Sequence, residues 1–374
     1  MKVFLVAGAR PNFMKIAPLH RESLNYPGVD CRILHTGQHY DYHMSKAFFK
    51  DLELPAPDYC LDAGPGTHAV QTARIMVAFE RICQKAKPDW VVVVGDVNST
   101  LACTITAKKM GIAVAHVEAG LRSFDLSMPE EINRIVTDSI SDCFLVTEES
   151  GMQNLMREGK PPSRIHCVGN VMIDNLFHQL ERLRNGNRNR FSTRRLKEEH
   201  RPYAFLTLHR PSNVDDPETF SGIVEALNEI ASGRPILFPV HPRTKKKMVK
   251  FGISLSPNIR QLPPLGFRES LYLWKDSDAV LTDSGGLQEE TTALGVPCVT
   301  IRENTERPVT VEMGTNILAG TKKESILRAY RLSLEKRKQY AVPPLWDGRA
   351  ARRIWEVLLN GGAGAILSKT GEEK

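Results

Sequence analysis

A strand, a glycine turn and a helix follow one another in Val280-Leu281-Thr282-Asp283-Ser284-Gly285-Gly286-Leu287-Gln288-Glu289-Glu290. The apolar start is typical of a buried strand, and the strand–turn–helix order is the repeating element of parallel α/β proteins. Paired glycines let the backbone approach a ligand closely, while amide groups and the positive dipole at a helix start favour phosphate. We therefore predict that Ser284, Gly285 and Gly286 contact phosphate, with an ordinary turn and N-cap as the alternative interpretation.

The same alternation runs through both halves of the chain. Strand-like runs occupy 3–7, 32–36, 90–95, 113–117 and 143–146, then 204–208, 236–240, 279–282 and 298–301. Helical patterns occupy 13–24, 69–85, 100–110 and 129–141, then 218–230, 268–275, 286–294, 323–338 and 350–359. This order predicts an α/β fold of two Rossmann-like, doubly wound parallel-sheet domains facing a cleft. We expect the domains at 1–170 and 171–349, with the helix near 350–374 packing back on the first.

The composition excludes several classes of protein. Of 374 residues, 41% are hydrophobic and 25% are charged, which is typical of a globular chain and not of a disordered, collagen-like or membrane-embedded one. No apolar run approaches the roughly 18 residues that span a bilayer, so we expect no membrane partner. The seven cysteines are scattered without a C-x-x-C pair, which argues against disulfides or a zinc site and predicts reduced thiols in the cytoplasm.

The net charge of +7 is concentrated in one segment. Residues 182–201 hold eight basic and two acidic side chains, and they lack the repeated aromatic residues of a base-stacking surface. We interpret the segment as a solvated connection near the domain boundary and predict no nucleic-acid partner. Nucleic-acid binding is the alternative interpretation.

Three carboxylates are predicted at the carboxyl edge of the first sheet. Asp96 and Glu118 each follow a strand, and Glu130 stands at a helix start. A single acid in such a position is usually an N-cap or a partner of the helix dipole. Three like charges in one site shift each other's pKa values, which suits proton transfer between one protonated and one ionised carboxyl group.

Basic and imidazole side chains follow other predicted strands. Arg10 and Lys15 lie at the start of the first helix, where they reach an anion or form an ordinary solvated junction. His209 follows a strand of the second half, where it donates a hydrogen bond to phosphate, shuttles a proton or is a structural histidine. Arg307 pairs with phosphate or with neighbouring glutamates.

Common cofactor and nucleophile motifs are absent from the sequence. It has no G-x-G-x-x-G after a strand, no G-x-x-x-x-G-K-[ST], no G-x-S-x-G and no H-E-x-x-H. We therefore predict no cofactor, no required metal and no serine nucleophile. Three acids and several cations beside a phosphate-binding turn predict chemistry on a phosphorylated sugar.

Taken together, these segments resemble the non-hydrolysing UDP-N-acetylglucosamine 2-epimerases. The matching segments are Gly8-Ala9-Arg10-Pro11 with Lys15, Gly37-Gln38-His39, Gly95-Asp96 with Ser99-Thr100, His116-Val117-Glu118-Ala119-Gly120-Leu121-Arg122, Pro129-Glu130-Glu131-Ile132-Asn133-Arg134, Gly169-Asn170, His209-Arg210, the segment 283–290 and Thr305-Glu306-Arg307-Pro308. They run in order along nearly the whole chain, so the resemblance covers both predicted domains.

The resemblance implies a glycosyltransferase-B-like architecture, a homodimer and a UDP-sugar substrate with no cofactor. UDP would bind mainly to the second domain, with its phosphate at Ser284, Gly285 and Gly286, its ribose hydroxyls at Glu290, and Arg307 nearby. The first domain would contribute Arg10, Lys15 and Arg134 to substrate binding. The implied catalytic groups around the reacting sugar are Asp96, Glu118, Glu130 and His209.

The implied reaction interconverts UDP-GlcNAc and UDP-ManNAc. A carboxylate removes the proton on carbon 2 while the bond from carbon 1 to UDP breaks anti to it, leaving 2-acetamidoglucal. Return of UDP, with a proton delivered to the opposite face, completes the inversion. Because the β-phosphate gains charge as it leaves, cations such as Arg10, Lys15 and His209 are expected to matter most in the transition state.

Two departures from the family pattern leave alternatives open. Pro211-Ser212-Asn213 follow His209-Arg210 where enterobacterial-type members continue Arg-Glu, and Tyr40-Asp41-Tyr42-His43-Met44-Ser45 differ from the Met-Leu-Asp-Gln pattern of substrate-activated members. A UDP-diacetamido uronic acid is therefore an alternative substrate, and activation by UDP-GlcNAc is left open. The competing functions are a hydrolysing epimerase that releases ManNAc and UDP, a glycosyltransferase, and a UDP-sugar-binding regulator without catalysis.

Overall fold

The computed structural model describes residues 1–38, 49, 51–186, 191–335 and 339–361. The chain divides into two compact units. The first contains Met1–Asn175 together with the described residues from Pro344 to Gly361, and the second contains Leu176–Pro343. The division falls within one helix, Val171–Asn185.

The first unit is built on a seven-stranded parallel sheet in the order β3-β2-β1-β4-β5-β6-β7. Its strands are β1 (Lys2–Ala7), β2 (Asp30–His35), β3 (Tyr59–Cys60), β4 (Trp90–Val94), β5 (Ala113–Val117), β6 (Cys143–Val146) and β7 (Ile165–Cys167). Its helices are α1 (Arg10–Ser23), α2 (His68–Ala86), α3 (Asn98–Lys109), α4 (Pro129–Ile140), α5 (Glu149–Arg157) and a 3-10 turn at Pro162–Arg164, followed by α6 (Val171–Asn185), which continues into the second unit.

The second unit has a six-stranded parallel sheet in the order β10-β9-β8-β11-β12-β13. Its strands are β8 (Ala204–Thr207), β9 (Ile236–Pro239), β10 (Ile259–Leu262), β11 (Ala279–Thr282), β12 (Cys298–Thr300) and β13 (Asn316–Leu318). Its helices are α7 (Arg194–Glu199), α8 (Pro211–Val214), α9 (Pro217–Gly233), α10 (Pro242–Phe251), α11 (Phe267–Trp274), α12 (Gly285–Leu294), α13 (Pro308–Glu312) and α14 (Lys323–Glu335). The last helix, α15 (Ala350–Leu359), belongs to the first unit.

The central strands are mostly apolar because helices cover both faces of each sheet. All five residues of β4 are buried. Val92 and Val94 pack into one apolar cluster, whereas Val91 and Val93 pack into another on the opposite face. Successive side chains of a strand point to opposite faces, so a continuous apolar run fills both halves of the core.

Helix α15 completes the core of the first unit. Its buried residues Ala350, Ile354, Trp355 and Leu358 share a cluster with β1 and β4. The indole Nε1 of Trp355 donates a hydrogen bond to the carbonyl oxygen of Leu19 on α1, at 2.8 Å. Helix α15 is thereby anchored to helix α1.

The predicted fold class, two doubly wound parallel α/β domains, is confirmed, and the strands that the sequence pattern missed share one property. β3, β7, β10 and β13 are the outermost strands of the two sheets. They have two to four residues and are partly exposed, so they lack a continuous apolar run. The end of the predicted helix 323–338, the predicted region beyond 361, and the segment 39–45 lie outside the described residues.

No helix in the part of the chain that the structure describes is long and apolar enough to cross a membrane.

Candidate active site

Glu118 and Lys15 form a buried ion pair at the carboxyl end of β5. The Lys15 Nζ atom on α1 lies 2.5 Å from Glu118 Oε2. A Cβ atom at Gly95 would lie 2.8 Å from that Nζ atom, and the φ of Gly95 is +65°, so this turn after β4 requires glycine. Removing either partner would leave an uncompensated buried charge, which typically costs about 3–5 kcal/mol.

Asp96 and Arg134 form a second ion pair after the neighbouring strand β4. The guanidinium of Arg134 on α4 lies 2.5 Å from Asp96 Oδ2 and 2.6 Å from Glu131 Oε2. Asp96 remains about one-third exposed, whereas Arg134 and Glu131 are buried. A buried glutamate therefore holds the arginine that pairs with the more accessible aspartate.

Glu131 and Glu130 have different surroundings although they are adjacent in the sequence. Glu131 accepts hydrogen bonds from the amides of Ser123 and Phe124 at 2.9 and 3.0 Å. Burial acts to raise the pKa of Glu131, but hydrogen bonds from Ser123 and Arg134 outweigh it and lower the pKa below its usual value. Glu130 is exposed in the first turn of α4 and forms no ion pair with any described residue. Its predicted catalytic role stays a prediction.

A buried histidine–aspartate pair, which the sequence analysis did not single out, lies among these groups. Both ring nitrogens of His116 are hydrogen-bonded. Nδ1 lies 2.6 Å from Asp138 Oδ1, and Nε2 lies 2.8 Å from the carbonyl oxygen of Gly95. Asp138 Oδ2 accepts a bond from the Gly120 amide at 3.0 Å and lies 2.8 Å from Arg122. Burial acts to raise the pKa of Asp138, but His116 and Arg122 outweigh it and lower the pKa. In the sequence, only the position of Asp138 one helical turn after Arg134 could have indicated it.

Arg10 is the first residue of α1 and its side chain is exposed. It therefore stands at the carboxyl edge of the sheet, as the sequence predicted, and its contact with substrate stays a prediction. Of the first-unit candidates, the structure joins Lys15 with Glu118 and Arg134 with Asp96. Arg10 interacts electrostatically with Asp51, and Glu130 is exposed.

In the second unit, the predicted phosphate-binding turn leads directly from β11 into α12. Ser284 is the N-cap residue, but its side chain makes no capping hydrogen bond. A Cβ atom at Gly285 would meet no atom within 4 Å, so the space at the start of this helix is open. Gly286 lies in the same first turn. An open helix start with uncapped amides is suited to an anion.

His209 is fixed to the turn before α12 by Asp283. The buried Asp283 carboxylate accepts hydrogen bonds from the amides of His209 and Arg210, both at 2.7 Å, and its Oδ1 lies 2.9 Å from His209 Nδ1. The His209 side chain is 41% exposed. Because Nδ1 faces Asp283, Nε2 is the ring nitrogen that is available to a ligand.

Glu289, a buried acid of α12, interacts with both Arg307 and Glu290. Arg307 Nε is 2.5 Å from Glu289 Oε1. Glu290, one residue further along α12, is buried, and burial with a smaller contribution from Glu289 raises its pKa to about 8. Arg307 thus pairs with a glutamate of α12, whereas the glutamate next to it in the sequence, Glu306, pairs with Arg302. The contact of Arg307 with substrate stays a prediction.

The described residues contain no group of three or more His, Cys, Asp or Glu side chains that could hold a metal ion.

Comparisons with known proteins identify relatives that span both units. A family model described as UDP-N-acetylglucosamine 2-epimerase matches residues 21–359. A UDP-N-acetylglucosamine 2-epimerase of Methanocaldococcus jannaschii is 43% identical over 368 residues, which cover 96% of this chain and 100% of the relative. A UDP-2,3-diacetamido-2,3-dideoxy-D-glucuronate 2-epimerase of Pseudomonas aeruginosa is 40% identical over 361 residues, which cover 96% of this chain and 99% of the relative.

A solved structure of a relative is similar to this chain over nearly its whole length. The crystal structure of the M. jannaschii UDP-GlcNAc 2-epimerase in complex with UDP-GlcNAc and UDP has a TM-score of 0.87 to this chain at 42% sequence identity. The match covers 96% of this chain and 100% of that chain.

Fold and site together define a nucleotide-sugar enzyme of the glycosyltransferase-B-like class, with two parallel α/β domains. Within that class, the chain belongs to the UDP-N-acetylglucosamine 2-epimerase family, whose members are isomerases. The resemblance inferred from the sequence motifs is thereby confirmed.

Proposed function

We propose that this enzyme interconverts UDP-GlcNAc and UDP-ManNAc by anti elimination of UDP to 2-acetamidoglucal and re-addition. The observation that carries the proposal is the pair of acids, Asp96 and Glu118, at the ends of adjacent strands, each matched to one cation. We propose further that the enzyme acts in the cytoplasm as a homodimer without a cofactor, as the family resemblance and the unpaired cysteines suggest.

The reaction requires two proton transfers and one reversible bond cleavage at the sugar. A carboxylate of the first unit takes the proton from carbon 2, and the electron pair of the bond at carbon 1 leaves with UDP. The second unit binds the nucleotide, with phosphate at the open start of α12 and with Nε2 of His209 donating to it. Interactions that strengthen as the β-phosphate gains charge lower the barrier more than those that bind substrate and transition state equally.

Two carboxylates with different surroundings support the two proton transfers. Glu118 is buried against Lys15, whereas Asp96 is one-third exposed beside Arg134. General acid–base catalysis needs one group that takes up a proton and one that delivers it. We assign the two transfers to this pair of acids and leave the roles of base and acid undivided between them.

A UDP-diacetamido uronic acid is the second candidate substrate. The relative from Pseudomonas aeruginosa that carries this activity in its name is nearly as similar to the chain as the UDP-GlcNAc epimerase. Incubation with each UDP-sugar in turn, followed by chromatography of the products, decides between the two substrates.

The decisive experiment is incubation with UDP-GlcNAc in heavy water, followed by mass spectrometry and NMR of the sugars. Epimerisation incorporates one deuterium at carbon 2 of both UDP-sugars. Free ManNAc with UDP would indicate the hydrolysing reaction instead. Absence of exchange with either UDP-sugar would contradict an epimerase and favour a transferase or a binding protein.

The same assay tests the acids individually. We expect Asp96→Asn and Glu118→Gln each to lower turnover by roughly two to four orders of magnitude, the range of general acid–base catalysis. Asp30→Asn is the matched control, since Asp30 pairs with Arg32 at the exposed start of β2, and it should retain full turnover. Wild-type turnover in both acid variants would remove them from the catalytic set.

A further inference from the structure

Both hydrogen-bond partners of His116 are acceptors. The carbonyl oxygen of Gly95 has no proton to donate, and the pKa of Asp138 lies below its usual value, so its carboxylate is ionised. The imidazole ring and the carboxylate are both fully buried.

The ring and the carboxylate connect the two loops that carry the candidate acids. His116 holds the Gly95 carbonyl, immediately before Asp96, and Asp138 holds the Gly120 amide, two residues after Glu118. His116 itself lies on β5, two residues before Glu118. One buried hydrogen-bonded pair therefore spans both turns, each of which has a backbone in the left-handed region at Gly95 and Gly120.

Helix α4 supports the same two loops at further points. The Asn133 side chain donates to the carbonyl oxygen of Asp96 at 2.8 Å, and Arg134 pairs with the Asp96 carboxylate. The Glu131 carboxylate holds the amides of Ser123 and Phe124 on the loop after Glu118. Asp138 is the member of this series that lies deepest and that is joined to the sheet through His116.

We propose that Asp138 and His116 are positioning residues for the epimerase reaction, setting the placement of the Asp96 loop relative to the Glu118 loop. The inference rests on the proposed function, because it concerns the two acids assigned there. Neither residue touches the substrate in this role. A displacement of about 1 Å at a reacting group can lower turnover about 100-fold, so loss of the pair should act on turnover.

Asp138→Asn is the discriminating variant because it keeps the volume and the acceptor for Gly120. Its amide group replaces the carboxylate oxygen that faces His116 Nδ1, so the contact of the carboxylate with the ring is lost while the oxygen that accepts from Gly120 is kept. We expect turnover to fall between about 10-fold and 100-fold. We expect the KM to stay within about threefold, since the proposed nucleotide contacts lie in the second unit.

Asp142→Asn is the matched control. Asp142 also accepts a backbone amide, from Val114 at 2.8 Å, and pairs with a cation, Lys108, at 2.7 Å. It lies at the opposite end of β5 from Glu118. The control should lose stability without losing turnover, and an equal fall in turnover for both variants would mean general loosening and would overturn the proposal.

A second variant and a second measurement separate this inference from the proposed function. If Asp138→Asn does not fold, His116→Gln, which retains one donor, takes its place. It should show the same fall in turnover with the KM within about threefold. Histidine-ring ¹⁵N NMR of the unliganded protein should find the hydrogen bond between His116 Nδ1 and Asp138 in the wild type and its loss in Asp138→Asn. Absence of that hydrogen bond in the wild type, or turnover within twofold of wild type in Asp138→Asn, overturns the inference even where the wild type is an active epimerase. An inactive wild type that contains the hydrogen bond would contradict the proposed function and leave the pairing established.

Discussion

Glu289 and Glu290 are adjacent in the sequence but have different surroundings in the folded protein. Glu289 is buried against Arg307, which compensates its charge, whereas Glu290 is buried one residue further along α12 and lies close to that same negative charge. A helix turns by about 100° between successive residues, so neighbours face different groups. The identity of a residue therefore predicts an ionisable group but not its charge in the folded protein.

Glu290 makes the stability of the second unit depend on pH. Burial raises its pKa to about 8 in the folded protein, against a usual value of 4.5. Unfolding above pH 4.5 therefore releases a proton, so the contribution of Glu290 to stability is present below that pH and is lost as the pH rises towards about 8. We expect the free energy of unfolding to fall over this range by at most about 1.4 kcal/mol per pH unit from this group.

Urea unfolding of the unliganded protein at several pH values checks this dependence. Glu290→Gln cannot ionise and should flatten the profile. Glu225→Gln, which changes an exposed glutamate near Lys323 in the same unit, should leave the profile as in the wild type. Parallel profiles for Glu290→Gln and the wild type would contradict the assignment.

At the scale of elements, the alternation of strands and helices was readable because it is a local property. The inner strands are mostly apolar, and the sequence located them within a few residues. The four outermost strands were missed because a strand with one neighbour and a partly exposed face can contain polar residues, as Arg260 and Gln261 do in β10. The apolar pattern reflects enclosure by neighbours, which only inner strands have.

Helix α15 depends on a cap supplied from elsewhere in the chain. Asp174 on α6 accepts hydrogen bonds from the amides of Ala350 and Ala351, at 3.1 and 2.7 Å, and these are the first residues of α15. Asp174→Ala would leave both buried amides without a partner, and we expect a loss of about 1–3 kcal/mol in the free energy of unfolding. Urea unfolding followed by tryptophan fluorescence measures this loss, because Trp355 lies on the same helix.

Asp216→Ala provides the comparison. Asp216 caps α9 through the amide of Thr219 at 2.8 Å, but at an exposed helix start where water can replace the side chain. Its loss of stability should be clearly smaller. An equal effect of the two substitutions would show that the burial of the α15 start is unimportant.

At the scale of the whole molecule, each unit has its own apolar core. The principal core of the second unit is formed by residues between 204 and 330, whereas that of the first unit combines residues near the start of the chain with α15. A chain that ends at Pro343 would lose Ile354, Trp355 and Leu358 from the first core. Burying each such side chain contributes about 1.5–3 kcal/mol, so the loss is comparable with the total stability of a typical domain.

We expect the chain that ends at Pro343 to retain a folded second unit and to lose the first. Calorimetry should find one cooperative transition in place of those of the full chain, and trypsin should leave a fragment near Leu176–Pro343. The point variant Trp355→Ala is the control, since it should lower the stability of the first unit without abolishing its fold. A truncated chain with both units resistant to trypsin would contradict the role of α15.

The α/β class and the positions of most candidate groups after strand ends followed from the order of residues, because apolar periodicity and glycine turns act over a few neighbours. The charge that each group carries in the folded protein could not be predicted from the order of residues. Which glutamate of Glu130 and Glu131 is buried, and which partner holds His116, depends on residues brought together across the fold. His116 and Asp138 are 22 positions apart, and their pairing exists because strand β5 and helix α4 exclude water around them. Solvent exclusion and electrostatic pairing are long-range properties, and folding alone creates them.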